Sequence, residues 1–137
     1  MLTELRVRSL LLGLVCYLSA WLLVAFSLSV YATLTMSHEE TTRLSGPIIS
    51  VVTVLMFTSG GIVAGFSAGE RGLLHGFVVG LMGGLIIASA ISILFSGEGY
   101  PSLRANAAGY VLPSVILTTL GGAVGAFLKR KRRTNEK

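Results

Sequence analysis

Four long apolar runs, residues 10–36, 47–68, 72–95 and 107–128, contain no Asp, Glu, Lys or Arg. Each exceeds the roughly 20 residues that a helix rising 1.5 Å per residue needs to cross about 30 Å of hydrocarbon. Where no water reaches the backbone, a segment must satisfy its own N–H and C=O groups, so all four runs are predicted as helices. The composition agrees. Charged residues make up 12% of the chain and aspartate is absent, against about 25% charged residues in a soluble domain. Too little polar surface exists to cover such a chain in water. The expected fold class is therefore an all-α integral membrane four-helix bundle, one domain over residues 1–137, with 129–137 as a basic tail.

The basic residues set the expected orientation. Arg6 and Arg8 precede the first run, Arg71 lies between the second and third, and Lys129, Arg130, Lys131, Arg132, Arg133 and Lys137 follow the fourth. Only Arg43 and Arg104 fall on the other side. Four crossings return the chain to its starting side, which places both termini and the Glu70-Arg71 turn in the cytoplasm of a cell membrane. The first run is too long for the core of a cleaved signal peptide, although Val30-Tyr31-Ala32 has small-residue character. Tyr31, Tyr100 and Tyr110 are expected toward the outer interface, and the mid-run Trp21 against a neighbouring helix.

Glycine recurs at helical spacing. Gly61, Gly65 and Gly69 share one face of the second run, and Gly72, Gly76, Gly80 and Gly84 share one face of the third. Ser114, Thr118, Gly121 and Gly125 do the same in the fourth. Lipid supplies no hydrophobic force between helices, so association relies on the close backbone approach that small residues allow. The turn at Glu70-Arg71 is very short. A hairpin centred there would set Gly69 level with Gly72, Gly65 with Gly76, Gly61 with Gly80, and Phe57 with Gly84. The sequence thus predicts a glycine-packed hairpin of the second and third runs as the tightest contact in the molecule. A weak repeat is also visible, since Gly60-Gly61-Ile62-Val63-Ala64-Gly65-Phe66 resembles Gly121-Gly122-Ala123-Val124-Gly125-Ala126-Phe127.

Groups able to do chemistry are few. His75 is the one ionisable candidate inside a run, and it reads as a headgroup-level histidine, with proton sensing as the alternative. Glu70 and Arg71 read as a solvated turn. His38, Glu39 and Glu40 read as an outer loop without metal-ligand spacing, and Glu98, Tyr100, Pro101 and Arg104 as a second outer loop. Cys16 reads as a small hydrophobe, and Pro113 as a kink or a first-turn residue. The cations Lys129, Arg130, Lys131, Arg132 and Arg133 directly after a span read as a topology anchor and a contact with anionic lipid, not as a nucleic-acid site. No metal site, cofactor site or catalytic constellation is expected.

The segment Gly60, Gly61, Ala64, Gly65, Ala68, Gly69, Gly72 and Gly76, between two further spans and ahead of a basic tail, resembles the YrzE-like group of small four-span bacterial membrane proteins. Their hallmark is a glycine-rich hairpin with this spacing. The resemblance implies a bacterial cytoplasmic membrane and no assigned activity. The expected function is a non-enzymatic structural or accessory component of a membrane assembly, partnered by the lipid bilayer and by itself or a larger complex. The alternative is a small channel or transporter subunit. Against that alternative, small multidrug-type exporters carry a membrane-embedded glutamate in span one, and no Asn, Gln, Asp or Glu occurs in any run here.

Overall fold

The computed structural model describes residues 7–35, 38–94 and 103–136. Four helices follow one another: α1 (Val7–Thr35), α2 (His38–Ala68), α3 (Gly72–Leu94) and α4 (Leu103–Asn135). The fold is an all-α four-helix bundle, and each helix contains a stretch long and apolar enough to cross a membrane. Two helices run well past the apolar runs. α2 starts at His38, so the segment expected as an outer loop is helical backbone. α4 continues to Asn135, carrying the basic tail as helix rather than as loose chain. Because α4 begins at Leu103, Pro113 lies inside it rather than in its first turn.

The exterior is apolar and the interior small. Leu23, Phe26, Leu34, Ile93 and Leu94 are all exposed, each by more than two thirds of its surface. The buried set is instead rich in glycine, with Ser9, His75, Ser114 and Thr118 as its polar members. In water this distribution would leave a very large apolar patch uncovered; against hydrocarbon it costs nothing. Many hydroxyls are satisfied within their own helices, as in Ser27 to the Leu23 carbonyl (2.8 Å), Ser92 to Ala88 (2.8 Å) and Thr118 to Ser114 (2.6 Å). Among the described residues, no buried side-chain nitrogen or oxygen lacks a hydrogen-bond partner.

The order of packing corrects one expectation. The closest contacts are those of α4 with α3 and α4 with α2, while α2 and α3 touch each other less. α4 is wedged between the two arms of the hairpin. The expected levels Gly65 with Gly76 and Gly61 with Gly80 are not the nearest contacts, which all four glycines make with α4. A Cβ on Gly65 would collide with the Gly122 carbonyl, and one on Gly61 with the Thr118 carbonyl, both in α4. The short turn fixes that α2 and α3 are neighbours in sequence. It does not fix which faces they turn to one another, and a third glycine-bearing helix takes both.

Gly69, assigned to the packing stripe by its spacing, is the turn residue itself. Its φ of 76° is left-handed, a conformation that costs a residue with a Cβ roughly 1–2 kcal/mol. Its N–H bonds the Gly65 carbonyl at 2.8 Å, and its own carbonyl accepts from Gly72 N–H at 3.0 Å. This is the left-handed C-terminal stop that glycine supplies to helices, and α3 begins three residues later.

Candidate functional site

α4 presents two glycine faces. Toward α2 the contacts come in reciprocal pairs. Gly61 meets the Thr118 carbonyl and Gly121 meets the Thr58 carbonyl; Gly65 meets the Gly122 carbonyl and Gly125 meets the Ile62 carbonyl. Exchanging the two helices at an offset of 60 residues maps each contact onto its mate, so α2 and α4 form a pseudo-two-fold parallel pair. The repeated unit is Thr-x-x-Gly-x-x-x-Gly, from Thr58 and from Thr118, one residue out of register with the sequence alignment of the repeat. Backbone meets backbone here, the geometry that supports weak Cα–H···O bonds.

Toward α3 the pairing is antiparallel. Gly72 meets Gly122, Gly76 meets Thr118, Gly80 meets Ser114 and Val115 as well as Thr118, and Gly84 meets Val111 and Ser114. Gly122 thus serves both neighbours, lying against Gly65 on one side and Gly72 and Gly76 on the other. Between α2 and α3, Gly72 lies against the Cα of Gly65.

α1 joins through a motif that the spacing of the later glycines did not reveal. Gly13 lies against Ala64 and the Gly60 carbonyl, and Gly60 in turn against Tyr17. The Tyr17 ring is fully buried, stacked on Phe57 with centroids 5.4 Å apart and planes 7° from parallel. Gly83 of α3 receives the edge of the same ring. The Tyr17 hydroxyl lies 2.8 Å from Ser114 Oγ, which donates to the Gly80 carbonyl at 2.8 Å. With Ser114 Oγ donating to Gly80, Tyr17 is the donor to Ser114, and one chain of hydrogen bonds ties α1, α4 and α3. The signal available in the sequence was Ser9, Gly13 and Tyr17 at four-residue spacing on the first helix. Ser9 Oγ does bond across the bundle, to Ser67 Oγ at 3.0 Å. Trp21 and Tyr110, both partly buried, pack against the same core.

At the end of the bundle that carries the α2–α3 turn, His75 is 1% exposed, enclosed by the bundle three residues after the start of α3. Its Nδ1 lies 3.0 Å from the Arg71 carbonyl, and since a carbonyl only accepts, Nδ1 carries the proton. Lys129 also turns inward. Its Nζ donates to the Ser67 carbonyl at 2.7 Å and its stem lies over Gly69, so it satisfies and electrostatically complements the C-terminus of α2. Arg132 pairs with Glu136 at 2.8 Å, both exposed. Arg130, Lys131 and Arg133 are exposed on the same helix. A cavity of about 240 Å³ opens between this helix and the turn, lined by Glu70, Leu73, Ala126, Phe127, Lys129, Arg130 and Arg133 among others. The side chains of His38, Glu39, Glu40, Arg43, Glu98, Tyr100, Pro101 and Arg104, with Lys137, lie outside the described residues.

A family model described as protein of unknown function (DUF3792) matches residues 6–125. The chain belongs to that family. The matched stretch of this DUF3792 member spans α1 through Gly125, and so takes in the Tyr17–Ser114–Gly80 chain and both glycine faces of α4, while the cations from Lys129 onward follow it. No curated protein and no solved structure matches the chain. The family is uncharacterised, so what this DUF3792 protein offers for a functional reading is its own geometry: a small membrane protein with an interior rich in small residues and a basic, partly apolar cavity at the turn end.

Proposed function

We propose that the protein is a non-enzymatic structural or accessory component of a membrane assembly, embedded in a bacterial cytoplasmic membrane with both termini and the Glu70-Arg71 turn cytoplasmic. The carrying observation is the backbone-on-backbone contact of α2, α3 and α4 through Gly61, Gly65, Gly72, Gly76, Gly80, Gly121, Gly122 and Gly125. A bundle closed this tightly around its own axis turns most of its large apolar side chains outward, to lipid or to other membrane helices, with Tyr17, Phe57 and Ile87 among those kept inside. The basic end supports contact with an anionic leaflet, each cation near such a surface contributing about 1 kcal/mol. The narrower kinship with the YrzE-like group rests on the glycine spacing of the α2–α3 segment.

Affinity purification in mild detergent followed by mass spectrometry tests this reading. A membrane protein recovered at fixed stoichiometry, or a defined homo-oligomer, is expected; recovery of a lone monomer counts against it. The second reading, a small channel or transporter subunit, finds support in the buried hydroxyls of Tyr17, Ser114 and Thr118, the first two of which are hydrogen-bonded to each other. Solute flux into liposomes containing the purified protein would favour that reading over the scaffold.

A further inference from the structure

The geometry points to a specific site for one anionic phospholipid in the cavity between the α2–α3 turn and the end of α4. The inference rests on the proposed contact of the basic tail with an anionic leaflet, and narrows it from a charged surface to a formed site. The cavity has two chemically distinct parts. Its apolar wall is Leu73, Ala126 and Phe127, and its charged rim is Lys129, Arg130 and Arg133, with Glu70 as the one carboxylate among the lining residues. Three cations against one anion leave the rim positive. Leu73 and Phe127 are both more than half exposed, so the apolar wall opens sideways onto the surface where acyl chains run.

The rim is fixed in place by the fold. α4 stays helical to Asn135, so Arg130 and Arg133, three residues apart, project from the same face as Ala126 and Phe127. Lys129 is held over the turn by the Ser67 carbonyl. Among the described residues Arg130 and Arg133 have no ion-pair partner, whereas Arg132, on another face, is paired with Glu136. Lys131 and Arg132 carry the same charge and do not line the cavity. An amphipathic ligand with a phosphate headgroup fits this division. Arginine guanidinium groups supply forked donors to the phosphate oxygens, and the apolar wall takes the first carbons of an acyl chain.

The unused charge pair supplies the test. Native mass spectrometry and thermal unfolding would follow the full-length protein titrated with phosphatidylglycerol or with phosphatidylcholine. The proteins compared are the parent, the double variant Arg130→Gln/Arg133→Gln, and the charge-matched double variant Lys131→Gln/Arg132→Gln. The parent is expected to retain one phosphatidylglycerol per chain in preference to phosphatidylcholine and to melt higher with it. The Arg130/Arg133 variant should bind roughly thirty-fold more weakly, about five-fold for each cation removed, while the Lys131/Arg132 variant stays near the parent. Because all four side chains are exposed, unfolding in phosphatidylcholine alone should be unchanged in both variants. Equal weakening of the two variants would overturn the site in favour of diffuse attraction. No preference for phosphatidylglycerol in any protein would overturn the leaflet contact itself. Inorganic phosphate raising the melting temperature as much as the lipid would show a free-anion site and overturn the lipid assignment.

Discussion

At the scale of single residues, two positions carry more than their neighbours. Tyr17 is a large polar residue enclosed by glycines that leave room for it, and its hydroxyl reaches Ser114 across the bundle. Hydrogen bonds between membrane helices average about 0.6 kcal/mol in double-mutant cycles and reach about 1.7. A cycle of Tyr17→Phe and Ser114→Ala, read by unfolding in detergent, should give a coupling energy in that range. A coupling near zero would mean that the stacked ring, not the hydroxyl, holds α1. Gly69 acts through its backbone alone. A Cβ there would meet only the Lys129 stem at 3.4 Å, an ordinary contact, so the cost of Gly69→Ala is that of the left-handed φ, roughly 1–2 kcal/mol. Gly69→Asn should cost less than Gly69→Ala, because asparagine enters that region more readily; a steric origin would reverse the order. The sequence marked Gly69 as one more stripe residue because spacing records position on a helix and carries no record of where the helix stops.

At the scale of elements, α4 organises the molecule. It presents one glycine face to α2 and a second to α3, with Gly122 shared between them. A Cβ on Gly121 or Gly125 would run into backbone atoms of α2 that cannot swing aside, whereas one on Gly109 of the same helix would meet nothing within 4 Å. Gly121→Ala and Gly125→Ala should each destabilise by about 1–3 kcal/mol, the usual cost of overfilling a tight contact. Gly109→Ala should be neutral or stabilising by up to about 1 kcal/mol, the helix propensity of alanine over glycine. Melting of the three variants in one detergent checks this, and a Gly109 variant as unstable as the others would contradict the arrangement of α4. The four helices and much of the small faces of α2, α3 and α4 were legible in the sequence, since apolar length and four-residue spacing are local properties. Partner choice was not. Stripes on α2, α3 and α4 are equally able to face one another, and depth matching about a short turn selects one pairing without weighing the third helix. The Thr58 and Thr118 repeats held the missing information, because two copies of one motif on parallel helices can dock reciprocally. The inward turns of His75 and Lys129 were beyond spacing arguments for a related reason: both depend on the face left open once α4 is inserted.

At the scale of the whole molecule, charge and fold agree on one polarity. Ser9 near the start of α1, Ser67 at the end of α2 and Lys129 of α4 meet at one end of the bundle, so the N-terminal approach, the Glu70-Arg71 turn and the basic tail share a side. Nine of the eleven lysines and arginines belong to that side by sequence, and cytoplasmic loops are the ones that collect them. The bundle is therefore expected to sit with this end inward, and the prediction can be read in intact cells. Cys16 is the only cysteine, and Cys16→Ser removes it. In that background Glu70→Cys and Thr134→Cys place single thiols at two exposed positions of the same end, one on the turn and one on the tail. A membrane-impermeant thiol reagent should leave both unmodified in intact cells and modify both once the membrane is opened. Modification of both before opening would invert the molecule and place the cation-rimmed cavity on the outer leaflet. Modification of only one would break the common end itself, because the Lys129–Ser67 contact requires turn and tail to lie on the same side of the membrane.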